Sequence, residues 1–368
     1  MYRKGLFLRG VAVSALTFGL LIGLYALRVS AQDAAGDNFV YVMSNKNPAN
    51  SVIQYRRASN GSLTWVAEVA TGGGGTGPTA VDPLGSQDSL VLSSDGQRLF
   101  AVDAGSNEIS VLGTRSGRLT LMSKSGSGGD FPNSVGVSGD LVYVLNAKGN
   151  TPNITGFRVD AAGKLHWIAT VDLPLGSVGP NDIRFSHDGS ELVVTVSGSN
   201  EILVFPVGDN GAAGSPVSQT SAGASPFGVR FGHDGVVLIS EAAGSVSSYH
   251  QSDDMLDVIS AAVADTQKAS CWITVTRSAR FAYISNTGSG TVSSYNVNGN
   301  GELTLQSAVA ANTGGAPIDS SLSRDSRFFY VLDSAGGRIL IYRADGSNLS
   351  ALGQISSLPT SIQGIAAQ

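Results

Sequence analysis

The sequence predicts an all-β fold, a seven-bladed β-propeller in which each blade contains four antiparallel strands. Three observations lead to this prediction: a strand–turn unit that recurs seven times, a spacing of 44 to 48 residues between most copies, and an abundance of glycine. Glycine supplies 47 of the 368 residues, which is about twice its usual share. Self-similarity at this period, with four short strands in each unit, is typical of a propeller.

Residues 180–205 show the unit most clearly. Ile183–Phe185 is a short apolar strand, and Ser186–Gly189 contains the Asp-Gly pair of a tight hairpin turn. Leu192–Val196 is rich in β-branched residues and predicts a second strand, and Ile202–Phe205 predicts a third. Asp-Gly pairs at equivalent positions of other copies are therefore interpreted as structural turns.

The copies can be counted from two positions of the unit. The third strand carries a β-branched residue followed three positions later by an aromatic residue or leucine, in seven copies: Val52/Tyr55, Ile109/Leu112, Ile154/Phe157, Ile202/Phe205, Val246/Tyr249, Val292/Tyr295 and Ile339/Tyr342. The first strand has six copies: Leu90, Val135, Ile183, Val229, Ile273 and Ser320. The first two copies of the third strand are 57 residues apart, because the glycine-rich segment Gly72–Ser86 lengthens their connection.

The missing first strand is predicted at the other end of the chain. No strand precedes Phe39, whereas Pro359–Ala366 has the pattern of a first strand without a blade of its own. We expect this segment to join the N-terminal blade, so that the two ends of the chain close the ring. Closure removes the exposed strand edges that an open array of blades would leave.

The N-terminal segment is interpreted as a secretory signal peptide over residues 1–31, followed by a polar spacer over residues 32–37 and the propeller over residues 38–368. Basic residues precede an apolar run from Gly10 to Leu27, and the small residues Ser30 and Ala31 end the segment. We therefore expect cleavage after Ala31 and a periplasmic or extracellular protein. The alternative is a retained membrane anchor, since about 18 apolar residues is near the lower limit for a span.

The charge of the chain argues against nucleic acid as a partner. Residues 1–31 carry four basic and no acidic residues, so the remainder has 19 basic against 28 acidic residues and a net charge of −9. Such a surface repels phosphate backbones. Cys271 is the single cysteine and is interpreted as a buried apolar residue, with a reactive thiol as the alternative. The histidines show no metal-ligand spacing, and we predict a monomer without metal or cofactor.

Two sets of polar residues are predicted to meet on one face of the propeller. Because strands within a blade run antiparallel, the loops that enter first strands and those that leave second strands lie on the same face, which we call the entry face. The first-strand entries carry Gln87, Asp88, Asn133, Asn181, Asp182, Cys271, Trp272 and Asp319. The second-strand exits carry Asn45, Asp103, Asn146, Glu241, Asn286 and Asp333.

These residues admit two interpretations. In the first, Asp182 and Glu241 form a catalytic acid–base pair at the channel mouth. A small hydroxyl-rich ligand is then bound by Gln87, Asp88, Asn133, Asn181, Trp272 and Asp319. In the second, the polar residues cap turns and satisfy backbone groups. Gly72–Ser86 ends at this face and is either a flexible lid or a closely packed turn. Trp65 and Trp167 occupy repeat positions that we expect to pack between blades.

Four segments resemble the lactonase-type seven-bladed propellers: PNDIRFSHDGSELVVT at 180–195, SPFGVRFGHDG at 225–235, TGSGTVSSYNVNGNGELTL at 287–305 and PIDSSLSRDSRFFYVLD at 317–333. That family includes bacterial 6-phosphogluconolactonase and the fungal 3-carboxymuconate cyclase, and the resemblance spans residues 38–367. It implies a seven-bladed propeller, activity on a lactone ring, and catalytic His and Arg residues in the loops entering the first strands, with a Glu on a neighbouring blade.

Two functions stay open. The six first-strand entry loops contain neither His nor Arg, and Glu241 is the residue of matching type. One function is a hydrolase or isomerase of a sugar-type lactone, in which Asp182 or Glu241 acts as base. The other is a non-catalytic propeller that binds a carbohydrate, a cell-wall component or a protein.

Overall fold

The computed structural model describes residues 38–252 and 254–368, and the predicted signal peptide and spacer lie outside these residues. In the described ranges the one helical element is a 3-10 turn at Arg115–Gly117, and no helix there is long and apolar enough to cross a membrane. The strands are, in chain order, β1 (Phe39–Met43), β2 (Ser51–Arg57), β3 (Leu63–Ala70), β4 (Leu90–Leu92), β5 (Arg98–Asp103), β6 (Glu108–Gly113), β7 (Thr120–Gly126), β8 (Asp130–Ser138), β9 (Leu141–Lys148), β10 (Asn153–Val159), β11 (Leu165–Asp172), β12 (Pro180–Phe185), β13 (Glu191–Val196), β14 (Glu201–Pro206), β15 (Val217–Thr220), β16 (Pro226–Phe231), β17 (Val236–Glu241), β18 (Ser245–Ser252), β19 (Met255–Ala264), β20 (Ser270–Val275), β21 (Phe281–Asn286), β22 (Thr291–Val297), β23 (Leu303–Asn312), β24 (Pro317–Leu322), β25 (Phe328–Asp333), β26 (Arg338–Asp345), β27 (Asn348–Ile355) and β28 (Ile365–Ala367).

Seven four-stranded antiparallel sheets form the blades, which confirms the predicted propeller. Six blades take four consecutive strands each, from β4–β7 to β24–β27, and the remaining blade has the order β28-β1-β2-β3. The first strand of every blade contacts the first strands of its two neighbours, so these seven strands surround a central channel. The fourth strand of each blade is consequently the outermost.

Strand β28 closes the ring as the sequence predicts. Ile365 pairs with Val42, and Ala367 pairs with Val40, in antiparallel register. The amide of Gln368 continues the ladder by donating to the main-chain oxygen of Phe39 at 2.9 Å. The innermost strand of this blade therefore comes from one end of the described chain and its other three strands from the opposite end.

Apolar side chains pack between neighbouring blades. Second-strand residues such as Phe100 and Tyr330 are fully buried. One cluster joins Val193 of one blade to Val237 and Ile239 of the next. Each blade therefore buries its apolar faces only against its neighbours, as expected for a repeat structure.

The expectation that Trp65 and Trp167 pack between blades is wrong. Both lie on fourth strands, β3 and β11, and their side chains are 61 % and 66 % exposed. The physical reason is their position at the perimeter, where no further strand covers the outermost one. The leucines two residues earlier, Leu63 and Leu165, are the buried members of these strands.

Candidate functional site

The entry face of the channel is closed by the segment Gly85–Gln87. The Asn181 amide donates to the main-chain oxygen of Gly85 at 2.7 Å. The Trp272 indole and the Gln363 amide donate to the main-chain oxygen of Ser86 at 2.9 and 3.1 Å. The segment enters β4, yet its partners belong to three other blades, so it lies across the channel and ties them together.

Gln87 is the centre of this closure. Its Nε2 donates to the main-chain oxygen of Ile273 at 3.1 Å, and its Oε1 accepts from the amide of the same residue at 2.9 Å. The Asn133 amide similarly donates to the main-chain oxygen of Pro180 at 2.9 Å. Gln87, Asn133, Asn181 and Trp272 are all buried. The mouth expected at the entry face is therefore shut, because these polar side chains bind the backbones of neighbouring blades.

The glycine-rich loop is a closely packed turn, one of the two alternatives that the sequence left open. A Cβ added to Gly75 would lie 2.3 Å from the main-chain carbon of Asn45. A Cβ added to Gly105 would lie 2.1 Å from the main-chain oxygen of Gly75. The Asn45 side chain also accepts from the Thr76 amide and donates to the Thr76 hydroxyl, both at 2.9 Å. Only glycine fits at these close backbone contacts.

Glu241 and the other second-strand exits hold neighbouring loops. The Glu241 carboxylate accepts hydrogen bonds from the hydroxyls of Ser245 and Ser247, and burial raises the pKa of its carboxyl. Asp103 accepts hydrogen bonds from the hydroxyls of Thr71 and Ser110. Asp333 accepts a hydrogen bond of 2.6 Å from Nε of Arg338. These contacts match the turn-capping interpretation. None of the described contacts brings Glu241 together with Asp182.

The channel opens at the opposite face, formed by the turns that join first to second strands, which we call the turn face. A cavity of about 730 Å³ extends from this face into the channel. Asp88, Arg184 and Arg230 line its inner end. His187 and Arg277, from the turns that follow two of the first strands, line its rim.

Asp88 and two arginines form an ion cluster at the inner end of this cavity. The Arg230 guanidinium holds both carboxylate oxygens of Asp88, with hydrogen bonds of 2.8 and 2.9 Å. Arg184 donates from Nη1 to the same carboxylate. Burial opposes the ionisation of Asp88, but the two guanidinium charges outweigh it and hold the pKa of its carboxyl below the usual range.

Asp182 and Asp319 lie behind this cluster. Both are buried and neither lines the cavity. Asp182 accepts from the amide of Val229 at 2.8 Å, and its carboxylate lies 3.6 Å from Arg230. Burial, reinforced by the charge of Asp88, raises the pKa of Asp182 to about 7 and that of Asp319 well above its usual range. Burial therefore disfavours the charged form of both carboxyls.

Arg184 is the member of the cluster whose side chain has unused hydrogen-bond donors. Its side chain is 32 % exposed, against 13 % for that of Arg230. A guanidinium carries five N–H groups, and within the described residues the Arg184 side chain donates only to Asp88. The remaining donors are available to a molecule in the cavity.

Sequence reasoning missed both arginines because it stopped at the loops that enter the first strands. Side chains alternate along a strand, and Ile183 and Val229 are buried between blades. The residue that follows each of them therefore faces the channel. In the six first-strand copies this position holds Val91, Gly136, Arg184, Arg230, Thr274 and Ser321, all of which line the cavity.

The described residues contain no group of three or more His, Cys, Asp or Glu side chains arranged to hold a metal ion. Cys271 is buried, as the sequence suggests. Burial raises the pKa of its thiol, so it is not a reactive thiolate.

Comparison with known families confirms the resemblance noted in the sequence. The family model described as "Lactonase, 7-bladed beta-propeller" matches residues 248–364. This segment extends from within β18 to the residue before the closing strand β28. A comparison with curated protein sequences found no match.

Solved structures share the fold over nearly the whole chain. A putative 6-phosphogluconolactonase from Bacteroides fragilis has a TM-score of 0.70 and 19 % identity, covering 91 % of this chain and 98 % of its own. A putative 6-phosphogluconolactonase from Bacteroides uniformis has a TM-score of 0.72 and 18 % identity, covering 89 % and 99 %. The periplasmic gluconolactonase of Pseudomonas aeruginosa has a TM-score of 0.71 and 16 % identity, covering 90 % and 98 %. At such identities the similarity establishes the fold.

Proposed function

We propose that the turn-face cavity binds a sugar-type lactone or the sugar acid formed from it, and that the protein hydrolyses the lactone ring. The observation that carries this proposal is Arg184, a partly exposed guanidinium with unused donors inside a channel cavity. A guanidinium recognises a carboxylate with paired hydrogen bonds. The gluconolactonase and putative 6-phosphogluconolactonases of the same fold support a lactone as the ligand.

Arg184 and His187 are the groups that would promote ring opening. Water adds to the lactone carbonyl carbon, the carbonyl oxygen becomes an oxyanion, and the ring C–O bond then breaks to give a carboxylate and a hydroxyl group. Arg184 would stabilise the oxyanion and then the carboxylate. His187 Nε2 donates to the main-chain oxygen of Gly232 at 2.8 Å. Its Nδ1 is then unprotonated in the neutral ring and would accept a proton from the attacking water. The imidazolium would return this proton to the ring oxygen as the C–O bond breaks, and the new carboxylic acid would release its proton to solvent.

Asp88 and Arg230 are positioning residues in this proposal. Asp88 is a poor base because two guanidinium groups stabilise its charged form. It instead fixes one end of Arg184. Arg230 in turn fixes Asp88, and Asp182 lies behind Arg230, outside the cavity.

A non-catalytic propeller that binds a carbohydrate acid is the second candidate. It is favoured by the carboxylates themselves, since Asp88 is engaged by arginines and Glu241 by serine hydroxyls. Neither is free to act as a base. The two candidates share the Arg184 site and differ only in turnover.

The proposed location of the protein is the same for both candidate functions. We propose a periplasmic or extracellular location, which rests on the signal-peptide pattern of residues 1–31. The periplasmic gluconolactonase of the same fold is consistent with this location.

Acid release from a panel of sugar lactones, measured in a pH-stat, tests the proposal. We expect turnover that is lost in Arg184→Gln and in His187→Gln. Turnover should be kept in Arg158→Gln, which removes an exposed ion pair between Arg158 on β10 and Asp140, outside the cavity. Turnover unchanged by both channel variants would refute it. Absence of turnover, together with Arg184-dependent binding of the sugar acid, would establish the non-catalytic candidate instead.

A further inference from the structure

A second cavity on the turn face is lined by four arginines. It has a volume of about 390 Å³, and Arg57, Arg277, Arg324 and Arg327 contribute to its wall. Asp325 is the one carboxylate in that wall. Four guanidinium groups around so small a space repel one another unless an anion lies between them.

The protein balances the charges of these arginines only in part, through the electrostatic interaction of Asp325 with Arg57 and Arg327. Among the described residues, no Asp or Glu carboxylate lies within 4.0 Å of any of the four guanidinium groups. The imbalance stands out because the chain outside residues 1–31 has a net charge of −9. Cationic side chains that cluster on an acidic protein with fewer carboxylates than guanidinium groups around them indicate a site for an anion.

Arg57 is the strongest indication because its side chain is almost completely removed from water. The residue is 8 % exposed, and its Nε has no hydrogen-bond partner in the described part of the chain. Its Nη2 makes one long hydrogen bond, 3.4 Å, to the main-chain oxygen of Gln368. The guanidinium is held 5.2 Å from the centre of the Phe328 ring. A buried, incompletely paired charge is costly unless a counter-charge reaches it.

The four arginines come from three blades. Arg57 ends strand β2 of the blade that contains both chain ends. Arg277 follows β20, and Arg324 and Arg327 lie in the turn between β24 and β25. An anion in this cavity would therefore bridge the closing blade to the two blades that precede it.

We propose that this cavity is a binding site for a tetrahedral oxyanion, namely a phosphate or sulfate group, and that its occupancy stabilises the propeller ring. Guanidinium groups from several directions suit an anion whose oxygens point in several directions. The proposal does not depend on the channel ligand, although Arg277 lines both cavities.

Thermal unfolding of the purified protein tests the site, with inorganic phosphate and sulfate as probes and chloride at equal ionic strength as the reference. We expect phosphate to raise the Tm of the wild type and of Arg184→Gln. The rise should be lost in the double variant Arg324→Gln/Arg327→Gln. Both replaced arginines are exposed, so the variant should fold. Arg115→Gln, which removes an exposed arginine elsewhere, is the matched control.

Calorimetric titration provides the second measurement and identifies the source of the anion. We expect the Kd for phosphate to rise roughly tenfold or more in Arg324→Gln/Arg327→Gln, from the loss of charge-assisted hydrogen bonds. Glucose 6-phosphate should compete with phosphate whereas glucose should not, if the site accepts the group on a larger molecule. A Tm rise of equal size in the double variant and the wild type, or none in either, would overturn the proposal. Loss of the rise in Arg184→Gln alone would place the anion in the channel and overturn it as well.

Discussion

Replacing Ile365 by alanine should destabilise the whole ring, because this residue belongs to the strand that closes it. Ile365 is 5 % exposed and pairs with Val42 of β1. It packs in a cluster that also contains Ile318 of the preceding blade. Loss of its buried methyl and methylene groups, with the cavity left behind, should cost about 3 kcal/mol. That is a large fraction of a typical stability of about 5–15 kcal/mol.

Urea unfolding followed by tryptophan fluorescence measures this change. Trp272 is buried at the closed entry face, whereas Trp65 and Trp167 are exposed, so the signal reports chiefly on the channel. The control is Leu352→Ala on the outermost strand β27, where the side chain is 45 % exposed. It should shift the midpoint little. Deleting residues 359–368 should have a larger effect in the same direction. Equal midpoints for Ile365→Ala and Leu352→Ala would refute the closure of the ring by β28.

Three further predictions concern the closed face and the ion cluster. Gln87→Leu should lower the free energy of unfolding by about 3 kcal/mol, because it leaves the buried amide and carbonyl of Ile273 without partners; urea midpoints that match the wild type would contradict this. Asp182→Asn should flatten the pH dependence of stability. In the wild type, the pKa of the Asp182 carboxyl is raised to about 7 in the folded state, so the free energy of unfolding falls as pH rises from about 4 to about 7. Tm measured across this pH range should fall in the wild type and in the exposed control Asp140→Asn, but should change less in Asp182→Asn. Glu241→Gln should lower Tm without changing ligand binding, since the carboxylate accepts from two serines outside the channel; loss of turnover at unchanged Tm would instead restore Glu241 as a catalytic residue.

The architecture could be predicted because each blade repeats the same local signals. First-strand positions at a regular period and the Asp-Gly turns define where each blade starts, and both depend on residues close together in the chain. The closing strand could be predicted for the same reason, since the pattern before Phe39 lacks a first strand and the pattern after Pro359 has one to spare. A repeat reports on fold because every copy must meet the same packing requirement.

The site could not be predicted in the same way because it is made by contacts that the repeat does not encode. Ser86 and Trp272 are 186 residues apart in the chain, and Asp88 and Arg230 are 142 apart. The polar residues of the entry face are present as predicted, but they bind one another's backbones and close that mouth. The arginines that line the open end occupy one strand position, which differs from blade to blade and so carries no repeat signal.

The exposed tryptophans show a second limit of sequence patterns. Trp65 and Trp167 occupy equivalent repeat positions, and such equivalence predicts burial between blades. Their strands β3 and β11 are the outermost of their blades. A side chain that would pack against a neighbouring blade if it lay on an inner strand is exposed to solvent on these outer strands. Periodicity identifies a position within the blade but not the distance of that position from the channel.

We propose that Arg184 holds an acidic oxygen of the ligand in the turn-face cavity, and isothermal titration with D-gluconate tests this proposal most directly. Wild type and the exposed control Arg158→Gln should bind gluconate with the same Kd. Arg184→Gln should bind at least roughly tenfold more weakly, since it loses charge-assisted hydrogen bonds to the carboxylate, while its circular dichroism stays that of the wild type. Equal Kd values for all three proteins would contradict the account.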